Sequence, residues 1–484
     1  MDGSGDIRVI VIGAGMSGIL SAVKLRERGI TDVVIYEKAD WLGGTWRENT
    51  YPGIACDVPS HAYCYSFALN PNWSQHFAPG DEIQAYFEGV AREFEVDGLI
   101  RFGQEIVRAE WADGAWTVET SDGATDRAQI LIGATGVLHH PSYPDIPGLD
   151  SFAGASFHSA RWDHSVELEG KRVGVIGTGS TAVQITSALI DVVDRFSLFQ
   201  RTAQWVLPVP NPGYTDEERA AYTADPDGLR ILHDDLGQRM TNLVATALID
   251  SESPAMARIE EQCRENLSQV VDPELRMKLS PDYRAACKRL IMSPDFYEKV
   301  QSPNLDLVTA GLERIEPTGV RTSDGVLHEI DVLVLATGFQ VDRFLRPMEV
   351  VGVNGQTLDE AWTPRPLAYL AISVPGFPNL FMLNGPNGPV GNFSLIEIAE
   401  RQFEYIAQLI DEVRAGRCEG LAPNAAATEA YEQSRVEASK QTIWMTGCRS
   451  WYLDDRGIPA TWPWTFDRFR DEMAAPKLEA FDRF

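Results

Sequence analysis

The sequence predicts an α/β protein made of two similar units, the second of which is inserted into the first. Two apolar runs rich in Val and Ile, residues 8–12 and 172–176, each lead straight into a glycine-rich turn. Such runs are typical of buried parallel strands. A helical pattern and another apolar run follow each turn, so each unit is predicted to contain a β-α-β arrangement. The 484 residues suffice for about two to four domains.

The first glycine turn, G-A-G-M-S-G, has the spacing of a dinucleotide-binding site. Gly13 permits the tight turn, Gly15 lets the backbone approach a pyrophosphate, and Gly18 lets the helix pack closely on the strand. The N-terminus of the following helix offers free N–H groups to the phosphates. Glu37 ends the next strand, 19 residues after Gly18, where its carboxylate would accept hydrogen bonds from ribose hydroxyls. The alternative is a purely structural glycine-rich turn.

The second turn, G-T-G-S-T-A, places Gly177, Gly179 and Ala182 at the three corresponding positions. Its second strand ends with Arg201 and Thr202 instead of an acid. An arginine and a hydroxyl suit a 2′-phosphate, so this unit is predicted to bind NADP and not NAD. The alternative for Arg201 is a solvated charge at the end of a strand.

One chain with two such units most simply binds FAD and NADPH and passes a hydride between them. Disulfide reductases carry a C-x-x-x-x-C redox pair shortly after the first unit. Here Cys56 and Cys64 are eight positions apart, which is the wrong spacing. The reduced flavin is therefore expected to give its electrons to oxygen, to a substrate or to a protein partner.

The predicted fold is α/β, with two Rossmann-like dinucleotide-binding domains, the NADP domain inserted in the FAD domain, and a helical subdomain. Residues 98–150 alternate like β-strands, and 213–300 are acidic and helix-patterned. A strand-like run at 331–335 is expected to return the chain to the first domain. The predicted segments are, in order, 1–150 (FAD domain, first part), 151–212 (NADP domain, first part), 213–300 (helical insertion), 301–332 (NADP domain, return) and 333–484 (FAD domain, second part).

Charge and composition exclude several classes of partner. The chain has 70 acidic residues against 42 Lys and Arg, a formal net charge of −28, which repels nucleic acid and anionic membranes. Six cysteines without a C-x-x-C pair suit a reducing compartment. Residues 1–8 lack a basic signal region, and the uncharged stretches 173–190 and 366–396 are interrupted by Gly, Pro or small polar residues. We expect a soluble, cytoplasmic protein, either a monomer or a homodimer, without a metal site.

Two further motifs resemble a known family. The pattern F-x-G-x-x-x-H-x-x-x-W-[PD] is matched at Phe152, Gly154, His158, Trp162 and Asp163. A second pattern, [AG]-G-x-W-x-x-x-x-[FY]-P-[GM]-x-x-x-D, is matched at Gly43, Gly44, Trp46, Tyr51, Pro52, Gly53 and Asp57. The chain therefore resembles the type I Baeyer–Villiger monooxygenases, which are FAD- and NADPH-dependent class B flavoprotein monooxygenases. For His158 and Trp162 a role in linking the domains is favoured over chemistry, and simple packing is the alternative.

The resemblance implies that one atom of O2 is inserted next to the carbonyl of a ketone, giving an ester or a lactone. In this family an anionic flavin C4a-peroxide attacks the carbonyl, and a fixed cation favours such an anion. Residues 286–291 resemble the family's Lys-Arg loop, so Arg289 is expected to stabilise the peroxide and Asp57 to orient Arg289. Lys288 would reach the 2′-phosphate. The alternatives are a basic pair on a helix surface and a turn-forming Asp57.

Other positions are expected to contact the cofactors because they match the family or belong to the glycine turns. They are Gly44, Thr45, Trp46, Tyr63, Val107, Ser180, Thr181 and Trp451. The Gly- and Pro-rich run 384–392 precedes a helical pattern and would suit the flavin pyrimidine edge, although a plain connection is the alternative.

The substrate is expected to be a small hydrophobic ketone of unspecified type. The aromatic segment 458–469, with Trp462, Trp464, Phe466 and Phe469, would either line a substrate pocket or pack in the core. The rival functions are an oxygenase that makes S-oxides or N-oxides and an NADPH–flavin electron-transfer protein.

Overall fold

The computed structural model describes residues 7–391 and 393–484. Residues 1–6 lie outside the described residues, and they include most of the segment that we expect to lack a secretory signal. Asn392, within the 384–392 run, also lies outside them. No helix within the described ranges is long and apolar enough to cross a membrane.

The strands follow one another along the chain as β1 (Val9–Ile12), β2 (Val33–Tyr36), β3 (Ile100–Arg101), β4 (Ile106–Ala112), β5 (Ala115–Thr120), β6 (Thr125–Ala128), β7 (Ile130–Gly133), β8 (Ala155–His158), β9 (Arg172–Ile176), β10 (Arg195–Phe199), β11 (Val206–Leu207), β12 (Ile291–Met292), β13 (Leu305–Val308), β14 (Leu312–Glu316), β15 (Gly319–Thr322), β16 (Leu327–Glu329), β17 (Val332–Leu335), β18 (Glu349–Val351), β19 (Leu380–Met382), β20 (Leu421–Pro423) and β21 (Phe481–Arg483). The α-helices are α1 (Met16–Glu27), α2 (Thr45–Glu48), α3 (Gly80–Glu93), α4 (Ser180–Leu189), α5 (Asp216–Ala224), α6 (Pro226–Met240), α7 (Thr246–Ile249), α8 (Pro254–Ser268), α9 (Pro273–Lys278), α10 (Phe296–Lys299), α11 (Leu358–Ala361), α12 (Leu395–Arg414), α13 (Ala425–Ser439) and α14 (Phe466–Ala474).

The first sheet is parallel, with the strand order β19-β7-β1-β2-β3. All four residues of β1 are buried, because one face of the sheet packs against α1 and α12 and the other packs against the β4–β6 strands. Helices α1 and α12 pack against each other beside it. The β-rich character predicted for residues 98–150 is present in β3 to β7, of which β4, β5 and β6 form a separate antiparallel meander.

The second sheet is also parallel, with the order β13-β10-β9-β17-β8. Strand β17 lies between β9 and β8, with Val332 opposite Val173 on one side and Ala155 on the other. The prediction that residues 331–335 rejoin the first domain is therefore wrong. The four buried apolar residues of β17 would fit the interior of either sheet, so the sequence pattern alone did not show which sheet the strand joins. The chain leaves the second sheet only after Leu335.

Residues 213–300 are helical in their first part, where α5 to α9 lie. The last part belongs to the second unit, because β12 pairs with β11 and α10 packs on α4. A disulfide between Cys287 and Cys448 joins the loop before β12 to the segment that follows α13. The six cysteines without a C-x-x-C pair had indicated a reducing compartment, so this disulfide was not predicted. Cys56, Cys64, Cys263 and Cys418 are free.

The C-terminal aromatic segment belongs to the core. Trp462, Phe466 and Phe469 are buried in the main apolar cluster of the first unit, and Trp464 packs against it. Of the two alternatives for residues 458–469, packing is therefore correct and a lining of the substrate pocket is wrong.

Candidate active site

A cavity of about 1500 Å³ lies between the two units. It is bounded by both glycine turns, which follow β1 and β9, and by residues from the helical segment. In open parallel sheets, ligands bind beyond the carboxyl ends of the strands, which is where this cavity lies. Every predicted cofactor-binding residue lines it except Gly18, which packs beneath Gly13. The five residues of the F-x-G-x-x-x-H motif do not line it.

The first turn admits only glycine at its first and last positions. Gly13 has φ +102°, and a Cβ there would lie 2.6 Å from the Ala134 carbonyl oxygen. A Cβ at Gly18 would lie 1.9 Å from the Gly13 oxygen. Glu37 is buried and accepts a hydrogen bond of 2.8 Å from the Ala14 N–H, which places its carboxylate beside the turn. This is the arrangement that a dinucleotide such as FAD requires.

A buried acceptor beside the first turn also fits a bound flavin. Asn384 lines the cavity, and its Oδ1 has no hydrogen-bond partner among the described residues. Its Nδ2 donates to Ser17 Oγ at 3.4 Å, which fixes the orientation of the amide. A buried polar atom left unpaired is costly, so a donor from a ligand, such as a flavin N–H, would satisfy it.

Trp46 and Tyr63 form the wall of the cavity near the second family motif. The Trp46 indole N–H donates to the Tyr63 hydroxyl at 3.2 Å, and the two rings meet edge to face. Burial raises the pKa of Tyr63, so its hydroxyl stays protonated at neutral pH. Val107 lies on β4 at the rim and is 38% exposed.

The second turn mirrors the first. A Cβ at Gly177 would lie 2.2 Å from the Ala336 carbonyl oxygen, and α4 begins at Ser180 with its N-terminus at the cavity. Thr178 Oγ1 donates to the Thr202 carbonyl at 2.8 Å, which ties the turn to the end of β10. The backbone is thus open to a pyrophosphate beside Arg201.

The cations expected to bind the 2′-phosphate and to stabilise the peroxide converge on this cavity. Arg201, Lys288 and Arg289 all line it. The Lys288 ammonium lies 4.6 Å from the centre of the Tyr283 ring. Burial and the neighbouring Arg201 charge lower the pKa of Lys288, against the opposing attraction of Asp282. A net charge of −28 is therefore compatible with a polyanionic ligand, because the cations needed are gathered at one place.

Arg289 lies on an irregular loop, so the alternative of a basic pair on a helix surface is wrong. Its guanidinium forms an ion pair and a hydrogen bond with the Asp57 carboxylate, and 32% of each side chain is accessible. Burial opposes the charge, but Asp57 and the Tyr452 hydroxyl outweigh burial and raise the pKa of Arg289. The guanidinium therefore stays charged at the cavity wall.

Two aromatic residues complete this wall. Trp451 is 40% exposed, and its ring centre lies 4.1 Å from that of Tyr452. Tyr452 is buried and was not identified from the sequence, although it directly follows the predicted Trp451. The position of Tyr452 next to Trp451, in the C-R-S-W-Y run, was the only sequence feature that pointed to it.

His158 does not face the cavity. Its Nδ1 accepts the Ala160 N–H at 3.1 Å, so in the neutral ring Nε2 donates to the Gly338 carbonyl at 3.1 Å. Burial lowers the pKa of His158, which favours this neutral form. The ring packs against Tyr143 and Phe339, on the two segments that connect the units. These contacts support the linking role over chemistry.

The other motif residues support the same region. Trp162 packs edge to face on Phe157, with ring centres 5.0 Å apart. A Cβ at Gly154 would lie 2.2 Å from the Asp331 carbonyl oxygen, so only glycine fits beside β17. Phe152 packs against the core of the second unit, and the exposed Asp163 accepts the Ser165 N–H at 2.9 Å.

Comparison with known proteins decides the family. The family described as flavin-binding monooxygenase-like matches residues 6–356. A Baeyer–Villiger monooxygenase of Streptomyces coelicolor is 41% identical over 482 residues, covering 98% of this chain and 92% of that protein. The chain belongs to the Baeyer–Villiger group of the flavin-binding monooxygenases. The resemblance predicted from the two motifs is thereby confirmed.

A solved structure shares the fold of this chain, and a further relative shares its sequence over nearly the whole length. Cyclohexanone monooxygenase from Rhodococcus sp. Phi1, in a crystal structure bound to NADP+, superimposes with a TM-score of 0.87 at 31% identity, covering 97% of this chain and 96% of that one. A monooxygenase of Mycobacterium tuberculosis is 48% identical over 477 residues, covering 98% of this chain and 95% of that protein. This Baeyer–Villiger enzyme is an NADPH-dependent flavin monooxygenase with FAD and NADPH as cofactors.

Proposed function

We propose that this enzyme inserts one atom of O2 next to the carbonyl of a small hydrophobic ketone, giving an ester or a lactone. The observation that carries the proposal is the Arg289–Asp57 pair, a permanently charged guanidinium held at the wall of the cofactor cavity. When bound, FAD that has been reduced by NADPH supplies the activated oxygen.

Arg289 would stabilise negative charge that develops during oxygen transfer. A guanidinium keeps its proton in surroundings with little water, whereas an ammonium loses it more readily. A fixed cation stabilises a developing anion most effectively where no solvent has to reorganise. Asp57 would orient Arg289 and partly balance its charge when no anion lies beside the guanidinium.

Lys288, Arg201 and Thr202 would bind the 2′-phosphate of NADPH. All three line the cavity on the side of the second glycine turn. The proposed phosphate-binding cations therefore belong to the second unit, and the proposed ribose-binding Glu37 belongs to the first. The proposed division is FAD on the first glycine turn and NADPH on the second.

The wall next to Arg289 supports an apolar substrate. Leu248, Leu290, Trp444 and Tyr452 belong to one buried apolar cluster and also line the cavity. Leu248 comes from α7 in the helical segment, so this segment contributes to the substrate side of the cavity. An apolar wall with one cation suits a ketone, which has an apolar body and a single polar oxygen.

A product assay tests the proposal. Purified holoenzyme would be incubated with NADPH, O2 and linear, cyclic, aryl and steroid ketones, and in parallel with an aryl methyl sulfide. We expect an NADPH-dependent ester or lactone from at least one ketone, with one oxygen atom from labelled 18O2. Sulfoxide as the only product would favour the heteroatom oxygenase, and rapid NADPH oxidation with unchanged ketone would favour the electron-transfer protein.

A further inference from the structure

Asp57 is not the only group beside Arg289. The hydroxyl of Tyr452, from a different segment of the chain, lies next to the guanidinium, because both groups contact the backbone at Gly391. Because an arginine only donates, the Tyr452 oxygen is the acceptor in any hydrogen bond between the two. Arg289 therefore has one anionic partner and one neutral neighbour, supplied by two separate segments.

A third segment approaches both groups. A Cβ built on Gly391 would lie 2.2 Å from the Tyr452 hydroxyl oxygen and 2.8 Å from Arg289 Nη1. The backbone at Gly391 is therefore in contact with the phenol and the guanidinium at the same time. Any side chain at this position would displace one of them.

The Tyr452 ring is held firmly in place. Its surface is 4% exposed, and it packs between Trp444, at 5.5 Å between ring centres, and Trp451, at 4.1 Å. The disulfide between Cys287 and Cys448 joins the segment of Tyr452 to that of Arg289, within a few residues of each. The acceptor is thus fixed relative to the loop that carries the guanidinium.

We propose that Tyr452 is a positioning residue for oxygen transfer, because its hydroxyl fixes the orientation of the Arg289 guanidinium that Asp57 alone would leave free to turn. A single ion pair allows rotation about the line between the two charged groups, whereas a second acceptor fixes the plane. Electrostatic stabilisation depends on such preorganised geometry. The inference rests on the proposed function, since it concerns the cation assigned to that reaction.

The test is the Tyr452→Phe variant, which removes the hydroxyl and keeps the ring. FAD content, thermal stability and the rate at which NADPH reduces the flavin would be measured first, and all are expected to match the wild type. Ester formed per NADPH oxidised is then expected to fall about tenfold, with a matching rise in hydrogen peroxide, because a hydrogen bond to a charged group is lost. A general folding defect would instead change the first three measurements.

Tyr431→Phe is the matched control. Tyr431 is also a buried tyrosine, but its hydroxyl has no hydrogen-bond partner among the described residues and it lies in the core of the first unit. The Tyr431→Phe variant should form as much ester per NADPH oxidised as the wild type does. Equal losses in both variants would overturn the inference, because the loss would then not depend on the contact with Arg289.

A second variant displaces Tyr452 relative to Arg289 without changing either side chain. Gly391→Ala places a methyl group against the Tyr452 hydroxyl and Arg289, and it should likewise lower ester per NADPH and raise peroxide. If Tyr452→Phe forms as much ester per NADPH oxidised as the wild type, the inference is overturned and the proposed function is unaffected. A wild type that makes no ester from any ketone would contradict the proposed function, and the inference with it.

Discussion

Asp57 and Arg289 are 232 residues apart in the sequence and form an ion pair at the wall of one cavity. Asp57 follows the first glycine unit, and Arg289 lies on a loop next to the second. The pair therefore forms only when the two units are correctly placed against each other. The position of the cation thus depends on the assembly of the whole chain.

Asp57→Ala should leave FAD bound and slow oxygen transfer by about 100-fold. Arg289 would keep its charge but lose the anionic partner that orients its guanidinium, and a poorly placed cation stabilises a developing anion less. FAD absorbance of the purified variant and single-turnover ester formation would be measured together. Asp57→Asn retains an acceptor without the charge and should give an intermediate rate. Equal rates in all three proteins would contradict the orienting role.

Because of Lys288, kcat/KM for NADPH should begin to fall at a lower alkaline pH than an ordinary lysine would give. The pKa of Lys288 is lowered, so the ammonium is fully charged below that pKa and its charge is lost as pH rises through it. This loss should come at lower pH than for an ordinary lysine, whose pKa is about 10.4. The pH profile of kcat/KM for NADPH reports groups of the free enzyme and is the appropriate measurement.

The variant Lys288→Arg should move this alkaline limb to higher pH, because arginine remains charged throughout the range. Lys477→Arg is the control, since Lys477 pairs with Glu472 on the surface and is 60% accessible. An unchanged limb in Lys288→Arg would exclude Lys288 as the titrating group.

Cys448→Ser should lower the free energy of unfolding by about 2–5 kcal/mol. The disulfide connects residues 161 positions apart, so its loss frees a long loop in the unfolded chain. Urea titrations under oxidising conditions would measure the change. Cys418→Ser removes a free thiol and should have little effect. If dithiothreitol destabilises Cys448→Ser as much as the wild type, the bond does not account for the difference.

Gly53 lies where the first unit meets α4 of the second. It has φ +82°, and a Cβ there would lie 2.7 Å from the Gln184 carbonyl oxygen and 2.9 Å from the Ala188 Cβ. Gly53→Ala should therefore destabilise the protein by about 1–3 kcal/mol and weaken NADPH binding, because α4 carries the second glycine turn.

Gly89→Ala is the matched control for this substitution. Gly89 lies within α3, and a Cβ there would have no neighbour within 4 Å. Alanine in a helix should stabilise the protein by about 0.5–1 kcal/mol. Thermal unfolding of both variants would show opposite signs, and a stabilising Gly53→Ala would contradict the close contact between the units.

Local features of the sequence were enough to predict both glycine turns and their flanking strands. Gly13 and Gly177 occupy turns that exclude a side chain, and such requirements are visible in a few consecutive residues. The position of β17 was mistaken because a buried strand shows the same pattern in any parallel sheet.

Contacts between distant segments could not be predicted from pattern alone. Nothing in the spacing joins Cys287 to Cys448, or Tyr452 to Arg289, because each pair depends on where the loops finally lie. Asp57 was linked to Arg289 only through the family resemblance. Trp462 was ambiguous since an aromatic run fits a core as well as a pocket, and burial settled it.

The Arg289→Ala variant tests the central claim most directly. Stopped-flow absorbance would follow reduction of the bound flavin by NADPH, and product analysis would follow ester formation from a ketone that the wild type accepts. We predict flavin reduction at the native rate and a loss of ester formation of about 100- to 1000-fold. Ester formation at the native rate would contradict the assignment of Arg289 as the cation on which oxygen insertion depends.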